Sequence, residues 1–372
     1  MASAPSHEFL STPLCGLLGI PYPVIQAPMA GGWTTPELVC TVCEAGGFGV
    51  LAGARISPEK LREDIRTVRA RTERPFGVNF LIAPPERGNE DVAAVQRFLD
   101  RFRERLSLPP GGTDITVPPS TLAEQLEIVF EERVPVLSVA LGDPGELIQR
   151  AHDEGVLVSA MVTNVEEAVR VAERGVDIVV AQGAEAGGHR STFEVGPGGE
   201  VALVGTMALV PRVVDAVDVP VVAAGGIADG RGLLAALALG ASGAQLGTRF
   251  LVARESGAHP AYRARLLEAA ETDTIVTHVF TGRPARGLRN RLAEEYLREG
   301  PEPLGWLLHG AAAGDIYGAA QAADDGDHSP LLAGQGIGLL DKEQGAAEIV
   351  EQLVEEAVGA WSRLGGEPVE RA

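Results

Sequence analysis

Lysine is almost missing from this chain of 372 residues: among 31 basic residues only Lys60 and Lys342 are lysines, and both fall in segments that read as helix or surface. A Schiff-base aldolase built on a barrel needs a lysine amine at a strand end, so that chemistry is nearly excluded. Cysteine is equally scarce. Cys15, Cys40 and Cys43 cannot make a disulfide framework, and the Cys40-x-x-Cys43 pair sits in an apolar helical run with no second ligand pair after it. The seven histidines are scattered without metal-ligand spacing, so no metal site is expected. No stretch of about 18 uncharged apolar residues occurs, and the first residues, MASAPSHEFLSTPLCGLL, lack a basic region followed by a long apolar core. A soluble, cytoplasmic protein is the expectation. Positive charge is also short. A net charge of −20 makes nucleic acid and anionic membrane surfaces unsuitable partners. There is no Gly-x-Ser-x-Gly elbow. The glycines of Gly334-Gln335-Gly336-Ile337-Gly338 resemble a dinucleotide loop only faintly, because no strand precedes them.

What the chain does have is a steady alternation of short apolar runs with amphipathic stretches. Strands are predicted at 23–27, 48–51, 76–80, 135–139, 157–160, 177–181, 219–223 and 244–246. Helices are predicted between them at 35–45, 57–71, 120–132, 144–153, 165–174 and 229–239. Thr34 or Thr35 would cap the first of these, and Ser57-Pro58 opens the second in the cap-then-proline order. Several runs lack polar alternation, as strands covered on both faces require. The pattern predicts an α/β protein, a (β/α)8 TIM barrel over 12–255, which fits the usual size of about 250 residues. Residues 84–117 read as a helical insertion after strand 3, a surface excursion over the barrel's top. Residues 256–372 read as a C-terminal helical extension packing on the barrel and closing the substrate side. Within it a helix is expected at 260–270, an extended segment at 274–280, an arginine-rich helix from TGRPARGLRNRLAEEYL, and a last helix at 344–362.

Two consecutive βα turns carry glycine at the strand's carboxyl end, Gly225-Gly226 and Gly247-Thr248. Without side chains there, backbone N–H groups can close on an anion, and the helix starts behind them favour negative charge. The loops after the last two strands of a barrel form such a phosphate site. The loop after strand six, Gln182-Gly183-Ala184-Glu185-Ala186-Gly187-Gly188-His189-Arg190-Ser191, is the candidate catalytic loop. His189 is the side chain matched to proton transfer near neutral pH. Glu185 either orients His189 or pairs with Arg190; the sequence favours neither. The turn Ala27-Pro28-Met29-Ala30-Gly31-Gly32 opens at the same end, where Gln26, Asn79 and Gln182 offer amides to read the polar atoms of a flat ligand.

At these residues the chain resembles the nitronate monooxygenase (2-nitropropane dioxygenase) family of FMN-dependent barrel flavoenzymes, over about residues 12–356. The likeness rests on Gln26-Ala27-Pro28-Met29-Ala30-Gly31-Gly32, Gly77-Val78-Asn79-Phe80, residues 181–190, 224–231 and 245–250, Phe280 to Asn290 (FTGRPARGLRN) and Ala333-Gly334-Gln335. It implies FMN with its phosphate at Gly225, Gly226, Gly247 and Thr248. It further implies flavin contacts from Ala27, Pro28, Met29, Asn79, Gln182, Gly187, Gly188 and Gln335. His189 matches the family's active-site histidine, which assists nitronate binding or acts as base on a nitroalkane. The implied reaction oxidises alkyl nitronates, or nitroalkanes, with O2. The same motifs occur in NAD(P)H-dependent FMN enoyl-acyl-carrier-protein reductases and quinone reductases, so that activity is the alternative, and only there would an acyl-carrier protein be a partner. A homodimer is left open.

Overall fold

The computed structural model of the chain describes residues 8–83 and 91–365. Its centre is a closed barrel of eight parallel strands: β1 (Val24–Gln26), β2 (Phe48–Ala52), β3 (Gly77–Leu81), β4 (Val136–Ala140), β5 (Leu157–Val162), β6 (Ile178–Gln182), β8 (Val221–Ala224) and β9 (Gly243–Leu246). The ring closes where Ile25 of β1 lies beside Gln245 of β9. β7 (Gly188–His189) stands outside it and forms a small antiparallel sheet with β10 (Thr274–Thr277) and β11 (Ala285–Leu288). The strands are short runs of Val, Ile, Leu and Ala buried on both faces, because side chains fill the lumen on one side and helices cover the other.

Helices start where the sequence supplies caps. Thr35 accepts from the Leu38 N–H ahead of Pro36, Ser57 from Lys60 ahead of Pro58, Asn164 from Glu167 and Asp229 from Gly232. The helix expected at 144–153 is shorter, Leu147–Asp153, because Gly145 has φ +54° and keeps the Asp143–Gly145 segment in a turn. The last helix, Ala346–Arg363, lies against Gly230–Ala238 so closely that a Cβ on Gly230 would stand 2.3 Å from the Ala357 nitrogen. Among the described residues no helix is long and apolar enough to cross a membrane.

Two expectations are corrected. TGRPARGLRNRLAEEYL does not run directly into helix: β11 comes first, held between β10 and β7, and the helix is confined to Arg291–Glu299. The inserted stretch is also more than a surface excursion, although its residues 84–90 lie outside the described ones. Its helix Val92–Arg105 turns Val95, Phe98, Leu99 and Phe102 into a second core with Phe280, Leu292, Tyr296, Leu304 and Ile316 of the C-terminal part. The spacing i, i+3, i+4, i+7 is one helix face, and the partner surface is supplied nearly 200 residues later. Arg103, only 2% exposed, fixes the contact by pairing with Asp315 at 2.7 Å and Asp100 at 2.9 Å and donating to the Ala312 carbonyl at 2.6 Å.

Candidate active site

The turns at the carboxyl ends of β1, β6, β8 and β9 converge on the C-terminal segment 333–336. Gly225 and Gly226 have φ of +110° and +73°, a region that L side chains avoid. A Cβ on Gly225 would lie 2.9 Å from the Ala186 nitrogen, and one on Gly226 would lie 3.3 Å from the Glu185 Cβ. On Gly247 it would sit 3.6 Å from the Ala27 Cβ, which brings the β9 turn against the turn of Ala27, Pro28 and Met29. A Cβ on Gly187 would stand 2.5 Å from the Gly334 nitrogen, and Gly188, with φ +84°, faces open space. Gly334 donates to Thr248 Oγ1 at 3.0 Å, and the Gln335 N–H to the Glu185 carbonyl at 2.9 Å, while the Gln335 side chain is exposed. The N–H groups of Gly226 and Ile227 meet no acceptor among the described residues, and Thr248 begins a helix, so its N–H has no intrahelical partner either.

The three amides differ. Gln26 is fully buried and spends its amide on Ala27, Thr34 and the Val50 backbone, so it braces the barrel rim. Asn79 commits one Nδ2 proton to Ser138 Oγ at 3.0 Å and keeps its Oδ1. Gln182 clamps the histidine loop, donating from Nε2 to the His189 carbonyl at 2.9 Å and accepting at Oε1 from the Ser191 N–H at 2.8 Å.

His189 sits on β7 opposite Ala285 of β11, so the C-terminal part holds the histidine loop by backbone pairing. Its Nε2 is 2.9 Å from Thr281 Oγ1, and the Trp306 ring meets the imidazole edge-on at a centroid distance of 4.8 Å. Burial pushes the imidazole down to about 4, and the Arg55 charge adds to the shift, so His189 is neutral near pH 7. Arg55 adopts φ +67°, and Leu307, next to Trp306, adopts φ +71°. Two strained non-glycine residues thus flank one histidine, as happens where a site fixes its geometry against local preference. Neither role expected of Glu185 is seen. Its carboxylate accepts from Thr206 N and Oγ1 at 2.9 Å and so caps the following helix, sharing no hydrogen bond with the imidazole or with Arg190. Arg190 instead donates to the carbonyls of Gln182, of Thr163 at 3.2 Å and of Ala202 at 3.1 Å. Thr281 belongs to the FTGRPARGLRN stretch, but Arg55 and Trp306 carry no motif and are recruited by the fold alone.

A second buried histidine gives a pH test. His309 donates from Nε2 to the Val279 carbonyl at 2.9 Å and accepts at Nδ1 from the Leu304 N–H at 3.3 Å, so only the neutral ring satisfies both. Burial holds it at about 4. The unfolded chain therefore binds an extra proton between about pH 6.5 and 4, and stability should fall as pH drops through that window, by roughly 3 kcal/mol for this group at its lower end. Denaturant midpoints at pH 7 and 4.5 check this: His309→Phe should be less stable at pH 7 yet lose less on acidification than the parent.

A barrel whose strand ends gather a glycine cradle and a neutral histidine defines a candidate ligand site of the TIM-barrel class. The family model of nitronate monooxygenase matches residues 11–356. A probable nitronate monooxygenase of Staphylococcus saprophyticus is 36% identical over 351 residues, 94% of this chain and 98% of that protein. One of Staphylococcus haemolyticus is 42% identical over 279 residues, 74% of this chain and 78% of its own. Among solved structures, nitroalkane oxidase from Streptomyces ansochromogenes superposes with a TM-score of 0.87 at 37% identity, covering 94% of this chain and 99% of that one. FabK from Thermotoga maritima gives 0.76 at 30%, covering 96% and 99%. The chain belongs to the nitronate monooxygenase family, and is an oxidoreductase.

Proposed function

We propose that this is a cytoplasmic FMN-dependent enzyme that oxidises alkyl nitronates, and nitroalkanes, with O2 as electron acceptor. The observation carrying this reading is the neutral, doubly braced His189 at the mouth of a barrel whose glycine turns leave backbone N–H groups unspent. The residues fit the cofactor: Gly225, Gly226, Gly247 and Thr248 would form its phosphate cradle, with Gly225 packed so closely on Ala186 that only glycine fits, and Gly187 and Gly188 bring backbone rather than side chain to its rim. In this reading Ala27, Pro28, Met29, Asn79, Gln182 and Gln335 complete the walls. FMN, when bound, supplies the two-electron redox step. The protein's own part is to bind the nitro group, exclude water and move a proton. Arg55 provides positive charge beside the imidazole, which favours the anionic nitronate over the neutral nitroalkane. Residues 12–255 would form the cofactor-binding barrel and 256–372 the part that closes the substrate side, with β10, β11 and Trp306 as its contribution.

The alternative, an NAD(P)H-dependent FMN reductase of enoyl thioesters or quinones, draws support from the likeness to FabK, which has the lower TM-score. Anaerobic mixing of the holoenzyme separates the two. A nitronate should bleach the bound flavin while NADH leaves its spectrum unchanged; bleaching by NADH alone, with no response to nitronate, would overturn the proposal in favour of the alternative.

A further inference from the structure

We propose that Thr281 is a positioning residue that fixes the tautomer of His189, with the proton on Nε2, and so makes Nδ1 the atom that takes a proton from a nitroalkane. The inference rests on the function proposed above for its substrate, but its geometry stands alone. A threonine hydroxyl has one proton to give and two lone pairs to offer. Thr281 Oγ1 lies 3.2 Å from the Arg283 carbonyl in donor geometry, 3.4 Å from the Arg283 N–H as acceptor, and 2.9 Å from His189 Nε2. All three contacts are satisfied together only when the hydroxyl proton goes to the Arg283 carbonyl and both lone pairs accept, one from the Arg283 N–H and one from an Nε2–H. Were the hydroxyl to donate to Nε2 instead, the contact with the carbonyl would be oxygen against oxygen.

The other ring nitrogen is left available. Among the described residues Nδ1 has no hydrogen-bond partner, and it is not among the buried polar atoms lacking one, so it stays accessible. The ring cannot swap its two nitrogens without losing this arrangement. Its backbone carbonyl is held by Gln182 Nε2 at 2.9 Å, the next N–H donates to the Pro284 carbonyl at 2.8 Å, and Trp306 closes one edge. In the reaction the C–H bond beside the nitro group breaks, its electron pair moves into the nitro group to give the nitronate, and the proton forms a bond to Nδ1. The resulting imidazolium keeps Nε2–H on Thr281. Thr281 never touches the substrate. A nitronate, already deprotonated, needs none of this.

The test uses the FMN-loaded protein. In protein labelled with 15N-histidine, the resonances that vanish in His189→Asn should be those of an Nε2–H tautomer at pH 7. In Thr281→Val that fixed tautomer should give way to a mixture. With nitroethane, kcat/KM of Thr281→Val should fall about 10- to 100-fold, while with ethyl nitronate it stays within about threefold, and Thr281→Ser should restore both the spectrum and the nitroethane rate. An Nδ1–H signal for His189 in the parent protein overturns the inference, as does an equal loss on both substrates or a serine variant that behaves like valine. A parent enzyme inert to both substrates would instead overturn the function proposed above, and the spectrum would still decide the tautomer. Should the valine variant fail to fold, the parent spectrum and the serine variant decide it.

Discussion

His189→Asn is expected to keep its flavin and lose about 10²- to 10⁴-fold in turnover of nitroalkanes, the range over which a positioned general base contributes. The reason the loss should be confined to chemistry lies in how the loop is held. Gln182 and Arg190 brace it through backbone carbonyls, and β7 pairs with β11 through the main chain, so none of these contacts needs the imidazole. The glycine turns that would hold the cofactor are separate again, packed on Ala27, Glu185, Ala186 and Gly334. Because the ring is already neutral above about pH 5, nitroalkane turnover by the parent should show no loss of base down to that pH, with an acid limb near 4 in kcat/KM. Absorbance of the bound flavin and O2 uptake measure the two halves of this prediction. Nitroalkane turnover left within threefold of the parent would assign His189 to loop structure alone.

Much of this was legible before any coordinates. The eight strands fell within two residues of their predicted places because apolar runs of three to six residues, most of them closed by glycine or a polar residue, admit few other readings. The paired glycine turns and His189 were visible for the same reason: in a barrel, chemistry gathers at the carboxyl ends of strands, and the order of strands along the chain says which loops those are. Long-range pairing was not legible. Nothing near Phe98 or Phe102 announces that its partners are Leu292 and Tyr296, and nothing near Trp306 announces His189. Side-chain economy was hidden as well. Gln26 and Glu185 looked like ligand-reading or histidine-orienting groups, yet the fold commits their hydrogen bonds to rim and helix cap, and it gives Gln182 the added task of clamping the histidine loop, which residue type alone does not reveal.

Glu167→Ala should be the most costly single change to stability among the polar residues around the site, about 3–5 kcal/mol. The carboxylate is 5% exposed and accepts four hydrogen bonds: from Thr163 N at 2.7 Å and Oγ1 at 2.9 Å through Oε2, and from Thr192 Oγ1 at 2.8 Å and Phe193 N at 2.9 Å through Oε1. It ties the end of β5 to the loop carrying His189. Alanine would strand two backbone donors in the interior and leave the buried Arg190 charge without its strongest favourable neighbour, both expensive in a medium where water cannot substitute. Glutamine keeps one acceptor oxygen but turns an NH2 group toward two donors, so it should fall between alanine and the parent. The midpoint of denaturant unfolding measures the cost, and a change below about 1 kcal/mol would mean that the loop is held without the carboxylate. Any variant that still folds should also turn over more slowly with flavin retained, since the released segment begins three residues beyond His189; full activity in a destabilised Glu167→Ala would separate the loop's stability from the histidine's placement.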